Sequence, residues 1–135
     1  IYLNGYNKDM TNNNSLTIYC IYDANGSVIG ELSYFFKKIF FGFKCSMCDI
    51  THNTFTEKND WRSRLAESDL NIKALHLDEL TEELSNFSFG KTPCVIGKNG
   101  AQYKLIFDNS DLEKFKGNTE YFFNELTDRI KKISI

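Results

Sequence analysis

Proline is nearly absent from this sequence, which has Pro93 alone among its 135 residues, and several functional signatures are missing altogether. No dense basic run occurs, and 16 basic residues against 18 acidic ones give a formal net charge of −2. This balance argues against nucleic acid as the main partner. No glycine-rich phosphate loop, Ser/His/Asp arrangement or paired-carboxylate motif stands out, so nucleotide chemistry is not indicated either.

The sequence also lacks an apolar run that could span a membrane. A transmembrane helix needs about 18 or more uninterrupted apolar residues, and Lys37 and Lys38 break the best candidate. We therefore expect a soluble protein, located in the cytoplasm or in the lumen or stroma of an organelle.

Cysteine is too sparse for the dense disulfide framework of a small secreted protein. The four cysteines stand at positions 20, 45, 48 and 94, and a reducing compartment is the default expectation. Cys20 falls in an apolar, strand-like run, where an inert buried thiol is expected. By contrast, the chain is rich in aromatic residues, with 12 Phe and 7 Tyr, which predicts an aromatic core or an aromatic-lined site.

The length of 135 residues predicts a single domain that can bury its own core. Residues 1–15 contain five Asn and little apolar periodicity, so we expect a flexible N-terminal arm followed by one domain over residues 16–135. Within that domain, apolar spacing and turn residues predict a strand over 16–22, an amphipathic helix over 28–43, a helix that begins at the Cys45 motif, a short helical stretch around Trp61 and Leu65, a strand over 70–77, a helix over 81–87, a hairpin over 94–107 and a last helix from Thr119. Ser110 and Glu113 resemble the capping box of a short turn before that last helix.

Reactive chemistry is concentrated in the segment Cys45-Ser46-Met47-Cys48. A Cys-x-x-Cys pair at the start of a helix can hold a disulfide, lower the pKa of one thiol or bind a metal, because each use needs two sulfurs one helical turn apart. Three interpretations stay open at this point: a redox pair, a metal site, and inactive or structural thiols.

The metal interpretation depends on two further residues. Cys45, Cys48 and His52 stand at i, i+3 and i+7 and are predicted to share one face of a helix. Cys94, next to the proline, would complete a four-ligand set that suits zinc. However, a structural zinc site usually draws two pairs of ligands from two knuckles, and the second pair is missing here. Zinc is therefore the alternative to a site without a cofactor.

The order of the predicted elements resembles the thioredoxin-like superfamily, in which a Cys-x-x-Cys motif begins a helix and a cis-proline opens the first strand of a hairpin. Thr92-Pro93 stands at that hairpin position here, and Tyr22-Asp23 is similar to the opening of the DCC-type thiol-disulfide oxidoreductases. The resemblance implies an α/β fold with a central mixed sheet flanked by helices. It also implies a cis Thr92–Pro93 bond that lies beside the dithiol.

The same resemblance implies an activity, namely thiol-disulfide exchange with protein or small-thiol partners. Cys45 would be the attacking thiol and Cys48 the resolving thiol, while Thr92 and Pro93 would contact the substrate chain. An enzyme of this kind is a thiol-disulfide oxidoreductase.

A non-catalytic role is the alternative, because the chain carries an inserted amphipathic helix over 28–43 where the family has a short loop. A scaffold or interaction subunit of a larger assembly would bind its partner through this helix. Lys37 and Lys38, beside Phe side chains, permit contact with a membrane surface. Packing on the sheet or on a protein partner is the favoured expectation.

Overall fold

A computed structural model describes residues 16–25, 45–52 and 58–133 of the chain. These residues form the strands β1 (Leu16–Ile21), β2 (Asn71–Leu75), β3 (Cys94–Asn99) and β4 (Gln102–Phe107). They also form the helices α1 (Ser46–Thr51), α2 (Asn59–Glu67), α3 (Glu82–Ser88), α4 (Asn109–Lys114) and α5 (Thr119–Lys132), with a short 3₁₀ helix at Leu77–Glu79. The predicted α/β class is confirmed. The predicted arm over 1–15 and the predicted helix over 28–43 lie outside the described residues.

The four strands make one mixed sheet in the order β2-β1-β3-β4. β1 is parallel to β2 and antiparallel to β3, and β3 is antiparallel to β4. Ile21, the last residue of β1, pairs with Leu75 at the end of β2 and with Cys94 at the start of β3. The segment after β1 and the segment before β3 therefore meet at one edge of the sheet.

The sheet is covered on both faces, because side chains of β1 alternate between two hydrophobic clusters. Ile18 and Cys20 belong to a large cluster that also takes side chains from α1, α2, α4 and α5. Ile21 belongs to a smaller cluster with Leu84 of α3. The strand predicted over residues 16–22 is confirmed as β1, which lies between β2 and β3.

Aromatic side chains fill much of the larger cluster, as the composition predicts. The Trp61 ring lies 5.2 Å from that of Phe123, and Phe122 lies 5.9 Å from Phe107, measured between ring centroids. Pairs at such distances and tilted angles contribute about 0.5–1.5 kcal/mol each beyond the area they bury.

The predicted hairpin is confirmed, with Gly100 at φ +63° in its turn. A β-bulge lies near its far end, because Ile96 pairs with Leu105 whereas Val95 pairs with Phe107. The extra residue between them is Ile106. Two consecutive side chains, Ile106 and Phe107, consequently point into the same cluster.

The capping box predicted at Ser110 is wrong by two residues. The side chain of Asp108 accepts a hydrogen bond from the Asp111 N–H at 2.8 Å, and the Asp111 carboxylate accepts one from the Asp108 N–H at 3.1 Å. These two acidic side chains satisfy two of the free N–H groups at the start of α4. Ser110 consequently lies inside the helix.

The last helix begins where it was predicted, with Asn118 as its N-cap residue. None of the helices in the described ranges is both long and apolar enough to cross a membrane.

Candidate functional site

The Cys-x-x-Cys motif forms the start of α1. Cys45 is the N-cap residue in an extended conformation, and Cys48 lies in the first turn of the helix. This places their Cα atoms 5.2 Å apart and their sulfur atoms at disulfide-bonding distance. The N–H of Cys48 also donates a hydrogen bond to Sγ of Cys45, at 3.3 Å.

A cavity of about 580 Å³ opens beside Cys45. Its described lining comes from α1, from the segments after β1 and before β3, and from α4 with the turn that follows it. The lining residues are Asp23, Cys45, Ser46, Asp49, Thr92, Pro93, Asn109, Leu112, Glu113, Lys116 and Gly117. Cys48 is not among them. Cys45 is 1% exposed and Cys48 is 0% exposed.

One wall of the cavity is formed where the ends of β1 and β3 meet. The Thr92–Pro93 peptide bond is cis, as predicted. The Thr92 hydroxyl donates a hydrogen bond to the Asp23 carboxylate at 2.9 Å, which ties the segment before β3 to the segment after β1. Pro93 and Cys45 line the same cavity, which confirms the predicted proximity of the proline to the cysteine pair.

Another part of the cavity wall is α4 and the turn after it, which the sequence did not mark as part of a site. The Ser46 hydroxyl donates to Oδ1 of Asn109 at 2.7 Å, across 63 positions of the chain. Gly117, at φ +75°, lies so close to α1 that a Cβ atom added to it would be 3.2 Å from the Asp49 carbonyl oxygen. Nζ of Lys58 donates to the Gly117 carbonyl at 2.6 Å. The only local sequence signal for this wall is the glycine itself, which marks a turn.

A hydrogen-bonded group lies at the other end of α1. The Tyr22 hydroxyl donates to Oγ1 of Thr51 at 3.1 Å, and Oγ1 of Thr51 lies 2.6 Å from Nδ1 of His52. The Tyr22 ring also contacts both histidines, with centroids 6.0 Å from His52 and 4.8 Å from His76. Tyr22 therefore contacts the last residue of α1, whereas Asp23 lines the cavity.

The remaining cysteines are buried thiols. Cys94 lies in the smaller cluster with Ile21 and Leu84. Burial raises the pKa of the Cys94 thiol to about 12, with Asp23 adding to the rise and Lys91 opposing it. Burial also raises the pKa of Cys20, and the neighbouring Cys94 adds to that shift. Cys20 is fully buried, as expected from the sequence.

The predicted zinc ligands are not brought together. α1 ends at Thr51 and His52 is extended, at φ −125° and ψ 146°, so His52 does not continue the helical face of Cys45 and Cys48. Cys94 belongs to a different hydrophobic cluster from the other two cysteines. Across residues 16–25, 45–52 and 58–133, no group of three or more His, Cys, Asp or Glu side chains is arranged to hold a metal ion.

A second cavity, of about 410 Å³, lies between α2 and α5. Arg64 and Lys131 contribute its cationic groups, and the Arg64 guanidinium is bonded to Glu120. This cavity has no cysteine in its described lining, so the cavity beside Cys45 is the stronger candidate site. Comparison with protein-family models, with curated proteins and with solved structures gives no match for this chain.

Proposed function

We propose that this chain is a thioredoxin-like domain that carries out thiol-disulfide exchange through Cys45 and Cys48. The observation that carries the proposal is the placement of the bonded pair: Cys45, but not Cys48, lines a cavity that Pro93 also lines. An exchange site needs one sulfur that a partner can approach and a second that resolves the mixed disulfide.

The sheet topology supports the fold part of the proposal. The four strands form one mixed sheet that ends in the antiparallel β3–β4 hairpin, in agreement with the central mixed sheet and the hairpin that the thioredoxin-like resemblance implies. The Cys-x-x-Cys helix lies between β1 and β2 in the chain, and α5 follows the hairpin.

The reaction begins when a thiolate of the partner enters the cavity and attacks Sγ of Cys45. The partner–Cys45 bond forms as the Cys45–Cys48 bond breaks, and the electron pair stays on Sγ of Cys48, which takes up a proton. A second partner thiolate then attacks the partner sulfur of the mixed disulfide and releases Cys45 as a thiolate. The partner is oxidised to a disulfide by two electrons, and the protein is reduced to a dithiol.

Two contacts at the start of α1 support this sequence of steps. The Cys48 N–H, 3.3 Å from Sγ of Cys45, can donate to the thiolate that the last step releases. The hydrogen bond from Ser46 to Asn109 holds one of the two residues between the cysteines against α4. This contact holds α4, which lines the cavity, next to the start of α1, where the attacked sulfur lies.

The test is turnover of a small model disulfide in the presence of a thiol reductant. Cys45→Ser should reduce the catalysed rate to the uncatalysed background, because no other described thiol borders the cavity. Cys94→Ala removes a buried thiol outside the cavity and should leave most of the rate intact. Equal rates in wild type and Cys45→Ser would contradict the proposal.

A second candidate function rests on the burial of the pair. Cys45 and Cys48 are both part of the larger hydrophobic cluster and are almost fully buried. This placement favours a structural disulfide in a non-catalytic scaffold, which would bind partners through another surface. Such a protein would show no turnover above background in the experiment above, and it would unfold when the disulfide is reduced.

A further inference from the structure

The described lining of the cavity beside Cys45 carries an excess of negative charge. Asp23, Asp49 and Glu113 contribute three carboxylates to its described lining, and Lys116 contributes one ammonium group. Three negative charges and one positive charge leave a balance of −2. Lys58 donates to the backbone carbonyl of a lining residue, and counting it as well still leaves the sum at −1.

Two of the carboxylates are held by hydrogen bonds in different parts of the lining. Asp23 is held by the Thr92 hydroxyl at 2.9 Å on the Pro93 side. Glu113 is held by Nδ2 of Asn109 at 2.8 Å on the α4 side. A group that enters this cavity to reach Cys45 therefore enters a space that both carboxylates line.

Resting on the exchange reaction proposed above, we infer that the partner of Cys45 is a cysteine-bearing polypeptide segment with Lys or Arg beside the reacting cysteine. A cleft lined by charge of one sign concentrates ligands of the opposite sign and repels those of the same sign. A cavity of about 580 Å³ is in the size range that accepts a cysteine with its flanking side chains. Glutathione, which carries a net negative charge at neutral pH, is a poor match for this lining.

The experiment compares two thiol peptides, Ala-Lys-Cys-Lys-Ala and Ala-Glu-Cys-Glu-Ala, with glutathione as a third probe. Each is mixed with the oxidised wild-type protein, and the rate at which the Cys45–Cys48 bond is reduced is followed. Flanking charges also change the reactivity of the peptide thiol itself. Each rate is therefore divided by the rate of the same thiol with a small uncharged disulfide.

Two charge variants complete the design. Asp23→Asn combined with Glu113→Gln removes two carboxylates from the cavity lining. Asp60→Asn combined with Asp128→Asn removes two exposed carboxylates that are not in that lining, and it is the matched control. Far-UV circular dichroism of both double variants establishes that they are folded.

The inference predicts that the Lys peptide reacts on the order of tenfold faster than the Glu peptide at low ionic strength. This ratio should fall towards one as salt approaches about 1 M, where the Debye length is ~3 Å. It should also shrink in the cavity variant and persist in the control variant. The salt series on the wild-type protein tests the inference even if the cavity variant does not fold.

Two results would overturn the inference, and they have different meanings. Equal normalised rates for the two peptides would refute the charge preference and leave the exchange activity intact. No reduction of the bond by any of the three thiols, with uncatalysed turnover of the model disulfide, would refute the exchange activity and the inference with it.

Discussion

The four cysteines differ in what surrounds their sulfur atoms. Cys45 and Cys48 are bonded to each other at the start of α1, beside a cavity. Cys20 and Cys94 are fully buried in two different clusters. Burial raises the pKa of both free thiols because a thiolate loses its hydration in apolar surroundings. These two cysteines consequently remain protonated, and poorly reactive, at neutral pH.

The raised pKa of Cys94 predicts a specific loss of stability in alkali. The folded thiol has a pKa of about 12, whereas the unfolded one ionises near pH 9. Between these values the unfolded state binds fewer protons than the folded state, so stability decreases as pH rises. The stability that the raised pKa of Cys94 contributes is fully present below pH 9. Above pH 9, the free energy of unfolding of the wild type should fall by up to about 1.4 kcal/mol per pH unit more than that of Cys94→Ala.

Urea denaturation between pH 8 and 10 measures this difference. Both proteins should carry Cys45→Ser and Cys48→Ser and be kept with a reductant, so that disulfide exchange does not interfere. Val95→Ala is the matched control, since it also removes a fully buried side chain but has no titratable group. Its stability curve should run parallel to that of the parent protein. A Cys94→Ala curve parallel to the parent would contradict the assignment.

At the scale of elements, local sequence signals predicted the turns and helix ends that depend on a short segment of the chain. Asn99-Gly100 predicted the hairpin because a tight turn needs positive φ angles, and Gly100 has φ +63°. The capping box was misplaced because Asp108 and Asp111 offer the same spacing two residues earlier, with carboxylates as acceptors. The predicted helical face of Cys48 and His52 failed because α1 ends between them.

The turn after α4 gives an element-scale prediction. Gly117→Ala places a Cβ atom 3.2 Å from the Asp49 carbonyl oxygen, in addition to the cost of a non-glycine residue at φ +75°. Gly90→Ala is the matched control, because it has φ +76° and no atom within 4 Å of the added Cβ. The positive φ alone should cost about 1–2 kcal/mol in each variant.

Gly117→Ala should therefore destabilise the protein more than Gly90→Ala, as measured by the free energy of unfolding in urea. It should also slow reduction of the Cys45–Cys48 bond, since Gly117 and Asp49 both line the cavity. Gly90→Ala should leave that rate unchanged. If both variants lost the same stability and kept the same reduction rate, the turn would have no role in shaping the cavity.

At the scale of the whole molecule, the sequence predicted best which residues lie together where the order of the strands and helices along the chain decides their positions. Cys45, Thr92 and Pro93 were predicted to lie together, and they do so because β1 and β3 pair with the end of one against the start of the other. Glu113 and Lys116 carried no comparable signal. They reach the cavity only because α4 folds against α1, through contacts between residues far apart in the chain.

The disulfide closes a very short loop, and this length predicts how the stability of the whole protein changes on reduction. The loop runs only from Cys45 to Cys48, and constraining such a loop in the unfolded chain is worth about 2 kcal/mol. The sheet has a hydrophobic cluster on each face, and most side chains of the larger cluster belong to residues other than Cys45 and Cys48. Reduced wild type should therefore stay folded, with its free energy of unfolding lowered by about 2 kcal/mol.

Urea denaturation of the oxidised and reduced wild type tests this expectation, with far-UV circular dichroism as the signal. The Cys45→Ser/Cys48→Ser double variant is the control, and it should be insensitive to reductant and close to the reduced wild type in stability. A protein that exchanges disulfides must remain folded in both redox states, because each catalytic cycle passes through the dithiol. Unfolding on reduction alone would instead identify the bond as a structural staple and favour the non-catalytic scaffold.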